Sequence, residues 1–200
     1  MTDTPTRSNI TLGILAGGRA TRLGGLDKAW LQRNGTPQVL RWRDRFAEEV
    51  SATVVSANRD VPRYQAAGLQ AVADDMAADT GPLAGLAALA AVCRTSWLLT
   101  VPVDLVGVNE CLLATLVAEC AVDGAYACDD DGTQPLVALW RVAALEQAIT
   151  EAMASDDFAV HSLQRRLDMA RVSFKGVRFG NLNTPDDLRA AGVIATERTP

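Results

Sequence analysis

Apolar residues fall in short runs separated by glycine-bearing or polar segments, and the runs alternate between strand-like and helix-like spacing. Ile10 to Leu15 reads as a buried strand. Thr36-Pro37 marks a helix start, with threonine as cap and proline at the first helical position, and the helix is expected to run to about Val50. Ala52 to Ser56 reads as a strand, Val61 to Ala67 as a short helix stopped by Gly68, and Leu69 to Ala73 as a third strand. Gly81-Pro82 opens an alanine- and leucine-rich helix over Leu83 to Cys93, and Trp97 to Val103 is a strongly apolar strand. Asn109 is expected to cap a helix reaching Ala121. Ala125–Cys128 and Leu136–Trp140 flank the turn sequence Asp129-Asp130-Asp131-Gly132, which is expected to be solvated. Helices over Val142–Ala154 and Asp157–Leu167 follow, then an extended Val172–Phe179 with a turn at Gly176. A last helix starts at Asn183-Thr184-Pro185.

Strands separated by helices predict an α/β chain with a single doubly wound, mostly parallel sheet and helices on both faces. At 200 residues and 48% hydrophobic content, one domain with a sizeable core is expected. Residues 1–8 and 196–200 read as loose tails. The N-terminus lacks the apolar segment of a signal peptide, and no apolar run is long enough for a membrane span. A net charge of −5 argues against nucleic acid as a partner. Cys93, Cys111, Cys120 and Cys128 form no Cys-x-x-Cys pair, and His161 is the only histidine, so buried free thiols in a cytoplasmic protein are expected rather than a zinc site. Trp30, Trp42, Trp97 and Trp140 are assigned to packing rather than to base stacking, and His161 to a structural place on a helix.

In such sheets ligands bind beyond the carboxyl ends of the strands, and the chain's marked polar residues fall there. The first strand runs into a loop holding Gly17, Gly18, Gly24 and Gly25 together with Arg19, Arg22 and Lys28. Glycines let backbone N–H groups turn inward as a cradle for anionic oxygens, and the cations neutralise what the cradle holds. The string fits neither the P-loop nor the dinucleotide fingerprint. Lys28 and Lys175 are the only lysines, all other cationic side chains being arginine, so a lone loop lysine suits a compact ammonium with three rotating donors. Ser56, Asp74 and Asp104 end the next strands. A carboxylate such as Asp104, ending a buried strand beside a triphosphate, is well placed to ligate Mg²⁺.

Six segments, in order, resemble the molybdenum cofactor guanylyltransferase family of nucleotidyltransferases. They are Leu15-Ala16-Gly17-Gly18 with Arg22 and Gly24, Asp27-Lys28, Ala57-Asn58-Arg59, Asp74 with Gly81-Pro82-Leu83-Ala84-Gly85, Pro102-Val103-Asp104, and Asn181-Leu182-Asn183-Thr184-Pro185. The resemblance implies a Rossmann-like nucleotidyltransferase fold and an enzyme that transfers GMP from GTP to the terminal phosphate of molybdopterin-bound molybdenum cofactor, releasing pyrophosphate with Mg²⁺. It implies nucleotide contacts from Leu15, Ala16, Gly17, Gly18, Ser56 and Asp74. It puts Arg22 and Lys28 on phosphates, Asp104 on metal and nucleotide, and Asn181 and Asn183 on the pterin side. The implied partners are GTP, molybdopterin or molybdenum cofactor, and cofactor-delivery proteins or apo-molybdoenzymes, with the chain itself a monomer. Leu23 stands where the family usually has Met, Ser56 where it offers Asn, and Gln134 before Pro135 where it often has His. Three alternatives stay open: a sibling cytidylyl- or sugar-phosphate transferase, a non-catalytic carrier of nucleotide or molybdopterin, and a plain α/β phosphate binder.

Overall fold

The computed structural model describes residues 3–17, 27–74 and 80–194. Its elements in chain order are β1 (Ile10–Leu15), β2 (Gln32–Arg33), β3 (Thr36–Pro37), α1 (Gln38–Phe46), β4 (Ala52–Ser56), α2 (Val61–Ala66), β5 (Gln70–Val72), α3 (Pro82–Val92) and β6 (Trp97–Pro102). The second half adds α4 (Leu112–Ala118), β7 (Gly124–Asp129), β8 (Gly132–Arg141), α5 (Val142–Ala154), α6 (Val160–Arg166), β9 (Met169–Ser173), α7 (Pro185–Ala190) and β10 (Val193–Ile194).

Seven strands form one sheet in the order β5-β4-β1-β6-β8-β7-β9. β1 pairs in parallel with β4 and β6, β4 with β5, and β7 with β9. β8 runs antiparallel to both of its neighbours. The reason is the tight turn between β7 and β8: strands joined by so short a connection can only pair antiparallel. The sheet is thus mostly parallel, as the alternation of strands and helices predicts.

Alternate residues of the central strands feed two separate cores, because successive side chains on a strand point to opposite faces. Leu12, Ile14, Val55, Leu99 and Val101 pack with Val39, Trp42 and Phe46 of α1, Tyr64 of α2 and the leucines of α4. Val54, Leu98, Ala138 and Trp140 pack with Leu83, Leu86 and Leu89 of α3, and with α5 and α6. Helices therefore cover both faces. Gly13 lets α3 settle against β1: a Cβ there would lie 2.9 Å from Leu89 Cδ1.

A second, three-stranded sheet joins β10, β2 and β3 in antiparallel pairs. Beneath it Leu31, Leu182, Leu188 and Val193 bury one another. This small unit ties the segment after Lys28 to the C-terminal segment.

Several expectations are corrected. Thr36 and Pro37 form a strand rather than a helix start, and α1 begins at Gln38. Asn109 holds the turn that leads into α4, its Oδ1 accepting from the Cys111 N–H at 2.7 Å and its carbonyl from the Leu112 N–H at 3.0 Å, but α4 itself is shorter at both ends than expected. From residue 3 the N-terminal segment is anchored rather than loose, since the Asp3 carbonyl accepts from Trp97 Nε1 at 2.9 Å and the Asp3 carboxylate from Asn9 Nδ2 at 3.0 Å. The tail at 196–200 lies outside the described residues. All four cysteines are free, but Cys111 is exposed and only Cys128 is buried. The four tryptophans are buried packing residues, and His161 is exposed on α6.

Candidate active site

β1 sits between β4 and β6, with β5 beyond β4 on one side and β8 beyond β6 on the other. The crevice of such a sheet opens at the carboxyl ends of the strands around this point. Leu15, the last residue of β1, is in register with Ser56 on β4 and Pro102 on β6. The Ala16 N–H donates to the Ser56 carbonyl at 2.9 Å, and the Val103 N–H to the Leu15 carbonyl at 3.0 Å. Three strand ends are thereby fixed to one another before any loop is considered.

On the β4 side, Ser56, Asp74 and Gly17 come together. A Cβ on Gly17 would lie 3.9 Å from both Ser56 Oγ and Asp74 Oδ2. Asp74 is clasped by Asn58: Asn58 Nδ2 donates to Asp74 Oδ2 at 2.8 Å, and the Asp74 N–H donates to Asn58 Oδ1 at 3.0 Å. Ser56 is fully buried, and its Oγ has no hydrogen-bond partner among the described residues. A buried hydroxyl without a partner is costly, by about 1–3 kcal/mol. α3 brings Gly85 against the same hydroxyl, where a Cβ would lie 2.9 Å from Ser56 Oγ.

On the β6 side, Lys28 and Asp104 meet. Lys28 follows Asp27, whose side chain accepts from the Ala29 N–H at 3.0 Å and so caps the helical turn Lys28–Trp30. Burial raises the Asp27 carboxyl pKa above its ordinary value, the cap hydrogen bond opposing and Asp60 adding to the rise. Lys28 Nζ donates to Asp104 Oδ2 at 2.8 Å and to Asn183 Oδ1 at 2.7 Å. The lysine and aspartate side chains are 19% and 22% exposed, enough to reach a ligand and dry enough for their charges to count. The C-terminal segment is strung along the same strand end: the Leu182 N–H donates to the Asp104 carbonyl at 2.7 Å, and Asn181 bridges Leu105.

Leu15, Ala16, Gly17, Lys28, Ser56, Asp74, Asp104, Asn181 and Asn183 thus lie at one end of the sheet, in two groups on either side of β1. Gly18 and Arg22 lie outside the described residues. Sequence reading missed the Asn58 clasp, although Asn58 stood in a segment already singled out; its signal was an amide two residues past a strand end. It missed Asp187 too, whose Oδ2 holds the Asn183 and Thr184 N–H groups at 3.0 and 2.7 Å. The Thr184-x-x-Asp187 spacing of a helix-start box was the available sign.

Asp129 is corrected as well. It is not a solvated turn residue but is buried, accepting from the Phe179 N–H at 2.8 Å, the Asp131 N–H at 3.0 Å and Gln134 Nε2 at 3.1 Å. Burial pushes its carboxyl up, but these hydrogen bonds together hold it below the ordinary value. Gln134, where the resemblance would offer histidine, thus supports the turn.

A single carboxylate next to an ammonium is too sparse for an all-protein metal cage, and the described residues hold no group of three or more metal-ligating side chains. It does suit Mg²⁺, which binds through one or two carboxylates and takes its remaining ligands from phosphate and water. Backbone ends, one ammonium and one hard oxygen donor at a sheet switch point are groups suited to a phosphate-bearing nucleotide.

The comparisons with known proteins agree. The family model described as "MobA-like NTP transferase domain" matches residues 12–170. A molybdenum cofactor guanylyltransferase from Yersinia pestis is 34% identical over 182 residues, covering 90% of this chain and 93% of that protein. One from Cupriavidus taiwanensis is 32% identical over 193 residues, covering 92% and 96%. The chain belongs to the MobA-like NTP transferase family. Among solved structures, the molybdopterin-guanine dinucleotide biosynthesis protein A from Archaeoglobus fulgidus shares the fold at a TM-score of 0.68 and 20% identity, over 91% of this chain and 96% of that one. A CTP:phosphocholine cytidylyltransferase from Streptococcus pneumoniae shares it at 0.68 and 16% identity, over 92% and 98%. No helix among the described residues is long and apolar enough to cross a membrane.

Proposed function

We propose that this protein transfers GMP from GTP to the terminal phosphate of molybdopterin carrying molybdenum, releasing pyrophosphate. The observation that carries the reading is the Lys28–Asp104 contact at 2.8 Å, at the strand end beside β1. Family membership, and relatives named for this reaction, supply the identity of the substrates.

The chemistry asks for little proton management. An acceptor phosphate oxygen, already anionic, attacks the α-phosphorus of GTP. A new P–O–P anhydride forms as the bond to the β-phosphate oxygen breaks, and the electron pair leaves with pyrophosphate. No general base is needed, and His161 lies exposed on α6. The protein's part is in-line positioning and charge neutralisation. Lys28 holds phosphate oxygens through its ammonium. The chain around Leu15, Ala16 and Gly17 borders the nucleotide, with Asp74 toward the nucleoside and the buried Ser56 hydroxyl close to it. Asn58 fixes the Asp74 carboxylate for a ribose or base contact. Asp104 would hold Mg²⁺, which supplies charge neutralisation on the phosphates when bound. Asn181 lies toward the acceptor, and the family resemblance adds Gly18 as a nucleotide contact and Arg22 as a phosphate contact, both outside the described residues. The same reading puts the enzyme in the cytoplasm with its nucleotide.

One observation favours a second reading. Ser56 replaces an amide that could read two base atoms at once, so a cytidylyl or sugar-phosphate transfer has a foothold here. Pyrophosphate release in Mg²⁺ with molybdenum cofactor and each NTP in turn separates the two. The expected result is fastest release with GTP and a product whose mass adds GMP to the acceptor. Equal rates with CTP or ATP would move the reading to the sibling enzymes. Tight GTP binding with no release would make the protein a carrier.

A further inference from the structure

We propose that Asn183 is a positioning residue that acts on the nucleotide side, by holding the Lys28 ammonium in place against Asp104. The inference rests on the nucleotidyl-transfer reading above and adds a residue role to it. The Asn183 side chain does not cap α7, since Thr184 takes the Asp187 N–H at 3.2 Å and fills that place. Its Oδ1 accepts instead from Lys28 Nζ at 2.7 Å, across 155 positions of sequence.

Both partners are fixed from behind. The Asn183 N–H is held by Asp187 Oδ2 at 3.0 Å, and its neighbour Leu182 by the Asp104 carbonyl at 2.7 Å. Lys28 sits on a turn capped by Asp27. The two segments are then joined by the β10–β2 pairing and by the buried cluster of Leu31, Leu182, Leu188 and Val193. The contact is therefore set by the scaffold and not by a chance meeting of long side chains.

The choice of an amide has a chemical consequence. A carboxylate at position 183 would give Lys28 a second anionic partner and weaken its pull on phosphate. An amide oxygen orients the ammonium and leaves its charge intact. Two of the three N–H donors are then committed, and the third is left for a phosphate oxygen. Losing Asn183 would let the ammonium swing, which harms the transition state more than the ground state.

A double-mutant cycle tests this with the full-length protein, GTP, Mg²⁺ and molybdenum cofactor. Asn183→Ala keeps the Thr184 cap, so the melting temperature should stay close to wild type. The expected kcat falls about tenfold, with the KM for GTP moving less than about threefold. In a Lys28→Met background the same Asn183→Ala change should cost less than about twofold, because two residues acting through one contact are not additive. If Lys28→Met is too slow for steady-state measurement, single-turnover product formation with enzyme in excess supplies the rate. Equal losses in both backgrounds, or a loss confined to the KM for the acceptor, would overturn the proposal. Absence of transfer by the wild-type protein with any acceptor would instead sink the function proposed above.

Discussion

Lys28→Arg separates a particular ammonium from a generic positive charge. In the structure Nζ makes two contacts, 2.8 Å to Asp104 and 2.7 Å to Asn183, and an ammonium has three donors. The spare one can follow a phosphate oxygen as it moves along the reaction path. A guanidinium keeps the charge but spreads it over a larger plane. Its fork also matches a carboxylate in bidentate fashion, so Arg at this position would grip both oxygens of Asp104 and compete with any metal ion proposed to bind there. The ground state loses little, because phosphate still meets a cation in the same place. On the proposed role, the transition state loses a contact that only a compact donor makes. A kcat loss of about tenfold or more is expected, roughly 1.4 kcal/mol of barrier. The KM for GTP should move by less than about threefold. The fold should hold, since a half-buried ion pair is retained. The assay is pyrophosphate release against GTP concentration at saturating acceptor, with a melting curve beside it. Full kcat in the arginine variant, or a loss lying wholly in KM, would refute the assignment of Lys28 to transition-state phosphate contact.

Asp104→Asn keeps the shape of the strand end and removes its charge; turnover should drop by about a hundredfold or more, and near-normal rates across a Mg²⁺ titration would refute the role. Gly124→Ala should cost about 3 kcal/mol in urea unfolding, because φ there is +142° and a Cβ would stand 2.1 Å from the Leu139 carbonyl oxygen; a midpoint within error of wild type would show the β7–β8 register to be wrong. Asp129→Asn should cost about 2 kcal/mol, since an amide nitrogen would face the buried Phe179 N–H and leave it unpaired. Its pH dependence follows in sign. The folded carboxyl pKa is depressed, so its stabilisation is full above the ordinary carboxylate range and disappears as pH falls through the folded value. The Asn variant should therefore lose less stability on acidification below about pH 4 than wild type, and parallel acid-unfolding curves would contradict this.

Regular elements were legible where the pattern is local. Ile10–Leu15, Ala52–Ser56 and Val142–Ala154 follow from runs whose burial is decided by their own residues. Thr36-Pro37 misled because helix-start chemistry and hairpin chemistry overlap there. Asn34 and Gly35 take positive φ of 52° and 79°, the geometry of a two-residue hairpin turn, and this pairs Thr36 with Arg33. The Asn-Gly pair was the sign that outweighed the proline. At the candidate site, position was legible but partnership was not. Strand-end placement singled out Lys28, Ser56, Asp74 and Asp104 one by one. That Lys28 would touch both Asp104 and Asn183 spans 76 and 155 positions, and no local periodicity encodes such a meeting. The burial of Asp129 escaped for the same reason, since its partner Phe179 lies 50 residues on.

The charge balance of the chain and the charge of its site point in opposite directions, and the distances reconcile them. A net charge of −5 opposes an incoming triphosphate. That repulsion is long-ranged only in dilute buffer, because at physiological ionic strength screening acts within about 8 Å. What decides binding is then the handful of charges within a few ångströms of the phosphates. On the proposed reading the Lys28–Asp104 pair stands there, and it is nearly neutral by itself, which limits the cost of holding each charge at about one-fifth exposure. Removing either partner would strand the other. Adding a cation on the Asp104 side and phosphate on the Lys28 side supplies each with a new counter-charge. A site poised in this way gains most when metal and nucleotide arrive together. Raising salt should therefore weaken GTP capture only modestly compared with a protein that relies on a broad basic surface.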